Sequence, residues 1–461
     1  MNPTLAGRLS PGIAAVLFGG LALQAGAIDI AGSLLIDLEA SDYNSVDGQW
    51  PQHTPTGIPG NFLRNTSADA AIGNATPRLQ TVAGAPAIVL DGGQDYLRGP
   101  FTTSALHAAG AVHSVEYWVY QGHARAEESV LSWSYRQGEP PHNNKFAGFR
   151  YGSNPQWGAI ARWDNDLGFA APHSPTPELG KWHLITATYD GNVQKLYGDG
   201  VLNGQKTVGV LDARDTQPIY IGTERAADGT DSGIDRQFSG AIGKIRVHAG
   251  VLTDANVLNN YNLEKTAFTG ATPVALSKPP THRWSFNNAV GPAPEGTTIA
   301  DSIGGLDAVV RGNNATFVAG TGAGNNVIQL PGGPGGENPA YVDLPNGLIS
   351  GSNRVSIELW ATQTGNRTWS RVASFGTTNN GEIPGPGGAF DGGSTEAVVL
   401  FSNRENAASN AIQRTRGTIT NGADTRISND SVVLGTQFHY VIVFDPDQAE
   451  WRLYRNGLLM E

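Results

Sequence analysis

Five aromatic rings and two carboxylates crowd into the stretch FRYGSNPQWGAIARWDNDLGF: Phe149, Tyr151, Trp157, Trp163 and Phe169, with Asp164 and Asp166. Flat rings stack against the C–H faces of sugars while acids bond the hydroxyls, and Trp suits the task with a large apolar body and one polar handle. Trp157, Trp163, Asp164 and Asp166 are therefore candidate ligand contacts. Rings that alternate along strands also fill a core, so the same cluster has a packing explanation. Glu116 is a fifth candidate. In VEYWVY it alternates with Trp118 and Tyr120, opposite Val115, Tyr117 and Val119, and RVSIELWA repeats the pattern with Glu358 and Trp360. One face of each segment is core. The Glu/Trp face either packs beneath a covering segment or meets a ligand, and the usual burial of Trp favours packing.

Acidic turns offer oxygen clusters of the kind hard cations prefer. DGTDSGIDRQ supplies Asp231 and Asp235, and IADSIGGLDA supplies Asp301 and Asp307, which makes a structural Ca2+ the expected cofactor if one is present. Each Asp would equally serve as a turn residue bonding its own backbone. Asp164-x-Asp166-x-Gly168 imitates the opening of an EF-hand loop but lacks the later Glu. A Gly-x-Ser-x-Gly elbow, a His-Glu-x-x-His pair and a phosphate loop are all missing, so the common nucleophilic and zinc-protease chemistries have no motif here.

The chain that must position these groups has 461 residues, with 60 Gly, 27 Pro and no Cys. It must fold without disulfides, and thiol nucleophiles and Cys-ligated metals are excluded. A formal charge of −11 opposes a phosphate backbone, so nucleic acid is not an expected partner. Arg8, the apolar run Ile13 to Leu23 and Ala25-Gly26-Ala27 read as a signal peptide over residues 1–27. The run is short for a membrane span, which needs about 20 residues. An exported chain, secreted or held at the cell surface, is the expectation.

Short alternating segments rich in Val, Ile, Thr, Tyr and Trp, separated by Gly, Asn, Asp and Pro, predict an all-β chain of antiparallel β-sandwiches. The segments recur. GKWHLITATYDG (180–191) aligns with GTQFHYVIVFDP (435–446), HSVEYWVYQG (113–122) with RVSIELWATQTG (354–365), and QKLYGDGVLNG with WRLYRNGLLME. Asp199-Gly200 and Asn456-Gly457 mark the same two-residue hairpin, since both pairs tolerate positive φ. The reading is two tandem domains, 28–264 and 282–461, joined by a Pro/Thr/Ala linker at 265–281. One helix is expected near LTDANVLNNYNLEK, with Thr253 or Asp254 as cap and Val257, Leu258 and Tyr261 on one face. The first copy continues for more than 60 residues past its hairpin while the second has no counterpart. The second domain is thus expected to be incomplete and the chain to belong to a longer parent with further domains.

The segments VEYWVYQG, GKWHLITATYDG, LYGDGVL and FSGAIGKIRVHAGVLTDANVLNNY resemble the LamG-like jelly-roll domains of the concanavalin A-like lectin/glucanase superfamily. IELWATQ and LYRNGLL extend the resemblance to the second copy. It implies a jelly-roll fold and a function among lectins, calcium-binding adhesion modules and glucanases. Two departures matter. The family's closing motif often carries an acidic pair where this chain has Gly243-Lys244, and the E-x-D-x-x-E strand of its retaining glucanases has no match. The expected function is a non-catalytic binding or adhesion module for extracellular polysaccharide or glycoconjugate. The alternatives are a spacer array without a small ligand and a divergent glycoside hydrolase.

Overall fold

The structure, a computed structural model, describes residues 27–459 except 54–56, 66–76, 93–94, 123, 125, 135–144, 155–157, 163–164, 175–177, 214–216, 226–233, 271–275, 277, 321–324, 333–338, 350, 366–369, 377–397, 403–412, 419–424, 429–433 and 446–449. Residues 1–26 of the signal-peptide reading lie outside this range.

The first half is an antiparallel sandwich of two sheets. Its eight-stranded sheet comprises β1 (Leu34–Glu39), β2 (Arg78–Val82), β3 (Ala85–Asp91), β4 (His113–Tyr120), β5 (Trp182–Tyr189), β6 (Val193–Gly198), β7 (Val201–Thr207) and β8 (Ser239–His248). The order is β7-β6-β5-β4-β8-β3-β2, with β1 also paired to β8. Seven strands form the facing sheet: Ile160–Ala161, Ala147–Arg150, Ser129–Trp133, Pro218–Ile221, Leu97–Phe101, Phe62–Arg64 and Gln49–Trp50, in that order across it. Alternation along a strand sends every second side chain to one face. Val115, Tyr117 and Val119 accordingly meet Ile185, Ala187, Ile245 and Val247 in the core between the sheets. Phe149, Tyr151 and Phe169 are buried in that same core.

Helix α1 (Asp254–Thr269) crosses the outer face of the eight-stranded sheet. Thr253 caps it with a capping box: the Thr253 hydroxyl accepts from the Asn256 amide, and the Asn256 side chain accepts from the Thr253 amide. The buried residues are Val257, Asn260, Glu264 and Phe268, while Leu258 is exposed. The expected Val257/Leu258/Tyr261 face is thus rotated toward a half-polar one. The reason is that β4 and β8 offer polar partners beneath the helix. The helix also runs on to Thr269, into the segment read as linker.

Further along the chain, β9 (Val355–Thr362), β10 (Gln437–Asp445), β11 (Glu450–Arg455) and β12 (Leu458–Leu459) form a four-stranded sheet. It reproduces the pairing of β4 through β7. Glu116 faces Thr186 across β4 and β5, and Glu358 faces Val441, the aligned residue, across β9 and β10. Both hairpin turns have two positive φ values, 52° and 82° at Asp199-Gly200 and 48° and 80° at Asn456-Gly457. Each also carries the same clamp. Asp199 Oδ1 accepts from the Leu184 amide at 3.0 Å, and Asn456 Oδ1 accepts from the His439 amide at 2.9 Å. Between the two lie two three-stranded sheets around a small core that includes Val310 and Phe317. A further four-stranded sheet spans strands from Arg371 to Ser428.

The apolar face of β9–β12 packs on the outer face of the first sandwich. Phe438, Tyr440, Ile442, Leu453 and Leu458 join Trp118, Tyr120, Trp182 and Leu184 in one buried cluster. The Tyr120 hydroxyl donates to the Asn456 carbonyl at 2.7 Å, and Asn456 Nδ2 donates to the Gly122 carbonyl at 2.7 Å. Gly122 makes this approach possible, because a Cβ there would sit 2.9 Å from Leu458 Cδ1.

Candidate binding site on the first sandwich

Glu116 projects from the outer face of β4, beneath α1. Arg246 lies directly across on β8, and its Nε donates to Glu116 Oε2 at 3.0 Å. His248 Nε2 approaches the same oxygen at 3.1 Å, and Asn260 Nδ2 donates to both carboxylate oxygens at 3.2 Å. The other edge of the Arg246 guanidinium forks onto Glu264, with 2.6 and 2.9 Å contacts, and Trp118 Nε1 donates to Glu264 at 2.8 Å. Burial by itself would raise both acids. Arg246 outweighs it, with His248 and Asn260 at Glu116 and Lys244 and Trp118 at Glu264, so Glu116 lies below its ordinary value and Glu264 falls to about 2. At 1% exposure, Glu116 is the structural carboxylate of a closed network.

The same contacts explain the Gly243-Lys244 departure. A Cβ at 243 would come within 2.3 Å of the Phe268 ring, which lies flat on Trp118 with centroids 4.3 Å apart. Lys244 Nζ bridges Glu39 at 2.7 Å and Glu264 at 3.2 Å. An acidic pair at 243–244 would bring negative charge beside Glu264 and displace the ring.

The remaining sequence candidates scatter. Trp157, Trp163, Asp164 and Asp231 lie outside the described residues. Asp166 Oδ1 accepts from the Arg162 amide at 2.5 Å, and the backbone of Asp235 pairs with Glu224. Asp301 closes a turn with its own neighbours. Oδ1 accepts from the Arg283, Ile303 and Gly304 amides, Oδ2 bonds His282 Nδ1 and the Leu306 amide, and the Asp301 amide donates to Asp307 Oδ1. Burial there acts to raise the acid, and these hydrogen bonds overcome it to hold Asp301 well below the usual carboxylate range. On the seven-stranded sheet, Arg150 holds Glu224 at 2.8 Å and Glu127 at 3.2 Å, and Arg236 also bonds Glu127. Trp360, aligned with Trp118, is 60% exposed and stacks on His439 at 4.3 Å.

A groove of about 420 Å³ opens on the outer face of the eight-stranded sheet, between β5, β6 and the first turn of α1. Val193, Tyr197, Val251 and Leu252 give it an apolar floor, and Thr188, Asp190, Lys195, Thr253 and Asp254 give it polar groups. Lys195 and Thr188 are cross-strand neighbours, so their side chains share this face. Asp254 Oδ1 accepts from Lys195 Nζ at 2.9 Å and from the Tyr197 hydroxyl at 2.7 Å. Lys195's hydrogen bond, then Tyr197's, hold the Asp254 carboxylate below its ordinary value. Asp190 Oδ1 accepts from the Asn192 and Val193 amides and so shapes the rim. No local pattern of residues announces this groove. The contacts that join its strand and helix walls, Tyr197–Asp254 and Lys195–Asp254, span 57 and 59 residues, and only packing brings the walls together.

Residues 91–258, which include the groove, match the family model described as the concanavalin A-like lectin/glucanases superfamily. No curated protein matches the chain. The chain is similar to domain 4 of AbnA, a GH43 extracellular arabinanase from Geobacillus stearothermophilus, solved with arabinotriose. That match has 18% identity and a TM-score of 0.34, covering 50% of this chain and 100% of that one. It is also similar to the botulinum neurotoxin serotype D binding domain, with 12% identity and a TM-score of 0.35 over 92% of this chain and 88% of that one. A Trypanosoma rangeli sialidase matches at 17% identity and a TM-score of 0.34, over 57% of this chain and only 37% of the sialidase. Among the described residues, no helix is long and apolar enough to cross a membrane.

Proposed function

We propose that this chain is an exported, non-catalytic binding module whose first sandwich recognises extracellular polysaccharide or glycoconjugate. The observation that carries this reading is the groove beside α1, inside the segment that matches the concanavalin A-like superfamily. Its apolar floor suits the C–H faces of a sugar ring, and its ammonium, carboxylate and hydroxyl rim suits the hydroxyls. Trp157, Trp163 and Asp164 belong to the same proposal on sequence grounds, as contacts added by their aromatic and acidic chemistry. The ion pairs around Glu116, Glu127 and Glu224 support a binding role over hydrolysis, because a glycosidase acid needs a carboxyl group free to exchange a proton with substrate.

Polysaccharide pull-down followed by calorimetry tests the reading. Val251→Asp puts a charge on the groove floor, and Lys195→Ala removes a rim donor. Each is expected to weaken binding at least about tenfold, near 1.4 kcal/mol, with the melting curve preserved. Blank glycan arrays with a folded chain would sink the carbohydrate assignment and leave the spacer alternative. Reducing-sugar release that Val251→Asp abolishes would replace it with hydrolysis.

A further inference from the structure

We propose that His173 and His183, with Asp199 orienting the His183 ring, form a site for a single divalent metal ion of the zinc type at one end of the first sandwich. One ligand atom from each of the three lies within 4.8 Å of the other two. Zinc takes imidazole nitrogens at about 2.0–2.1 Å, so an ion on His183 Nε2 leaves Asp199, at Nδ1 on the far edge of the ring, as the orienting carboxylate.

Three observations point beyond ordinary packing. First, His183 Nδ1 lies 2.8 Å from Asp199 Oδ2, while Asp199 Oδ1 accepts the Leu184 amide. A carboxylate at Nδ1 fixes the tautomer that leaves the lone pair on Nε2, the arrangement by which carboxylates orient metal-binding imidazoles. Second, that Nε2 is buried with no hydrogen-bond partner, in a residue only 4% exposed. An orphaned buried acceptor is costly, and a metal ion would satisfy it. Glu178 Oε2 lies 3.9 Å from that Nε2 on the solvent side, its other oxygen held by Lys181 Nζ, within reach of an ion bound there. Third, His173 is seated by two contacts. Its Nδ1 is 3.2 Å from the Tyr151 hydroxyl, and its Nε2 lies against the Cα of Gly198, where a Cβ would come within 2.3 Å.

The second sheet supplies an internal control. Phe438 occupies the slot of His183, across from Ala361 as His183 is across from Val119, and Asn456 occupies the slot of Asp199. There the same turn is clamped without an imidazole or a charge. The hairpin therefore does not need the His183–Asp199 pair for its geometry, and the pair is left for another task. Two imidazoles select a borderline-soft ion over a hard one such as calcium.

The test uses the untagged chain after chelation, titrated with Zn2+ by calorimetry and followed by thermal unfolding. One ion per chain and a raised melting temperature are expected, with Ca2+ giving no matching effect. Co2+ in place of Zn2+ should give the intense visible absorption of a tetrahedral site. His183→Phe and Asp199→Asn borrow the residues that fold in the equivalent slots. His183→Phe should abolish the site, and Asp199→Asn should weaken it about 10–100-fold. No Zn2+ binding by the folded wild type would overturn the proposal, as would undiminished binding by His183→Phe or equal stabilisation by Ca2+. The polysaccharide assay is independent of this site, so failure of either reading is distinguishable from failure of the other.

Discussion

Glu264→Gln should convert the buried network under α1 into a measurable pH dependence of stability. The substitution keeps the shape of the side chain and an acceptor for Trp118 Nε1, but removes the charge that Arg246 grips at 2.6 and 2.9 Å. Folding lowers the Glu264 acid from its ordinary 4.5 to about 2. A depressed acid stabilises the fold above its unfolded value and loses that contribution as pH falls toward its folded value. At about 1.36 kcal/mol for each unit, the charged form contributes about 3 kcal/mol at pH 7 and about 1 kcal/mol at pH 3. Breaking a buried pair from one side costs a similar ~3–5 kcal/mol. Urea unfolding of wild type and variant, followed by near-ultraviolet circular dichroism between pH 7 and pH 3, reads the loss of this charge together with its effect on Glu116, which shares Arg246. The stability gap should be about 3 kcal/mol at pH 7 and shrink through the window from 4.5 toward 2. A gap that stays constant over the range, or one below about 1 kcal/mol at neutral pH, would refute the reasoning.

Two further outcomes follow from the packing. Trp118→Ala removes a fully buried ring held between β4, Phe268 and Tyr261 and should cost about 3–5 kcal/mol, while the aligned Trp360→Ala on an open face should stay within about 0.5 kcal/mol. Thermal melts in which the two variants lose equal stability would contradict the placement of α1. Gly243→Ala should overpack the Phe268 ring by about 1–3 kcal/mol, and the penalty should largely vanish in a Phe268→Ala background. Strict additivity in that double-mutant cycle would show that the two residues do not touch.

Local chemistry carried a large part of this fold into the sequence. Asp199-Gly200 and Asn456-Gly457 announce their turns because positive φ is cheap for those residues. Alternation in VEYWVY and RVSIELWA names the face that each strand buries, and Thr253 names the start of α1. What covers a face is a different matter. Periodicity shows Glu116 and Trp118 pointing away from the core but is silent on α1, whose buried side is half polar because Asn260 and Glu264 answer Glu116 and Arg246. The aligned Glu358 and Trp360 carry the same sequence signal, yet Trp360 is open.

The groove and the imidazole cluster were illegible for the same reason. His173 sits ten residues before His183 and Asp199 sixteen after it, with no ligand spacing that a motif search recognises. A hairpin turn, a strand and a loop bring them together. The sequence alone determined the strands, their inward faces and the turns, since those depend on the conformational preferences of adjacent residues. The tertiary structure decided which carboxylates are sealed in ion pairs, which nitrogen is left without a partner and which tryptophan meets solvent. Burial, desolvation and pairing arise between segments far apart in the chain, and no local pattern records them.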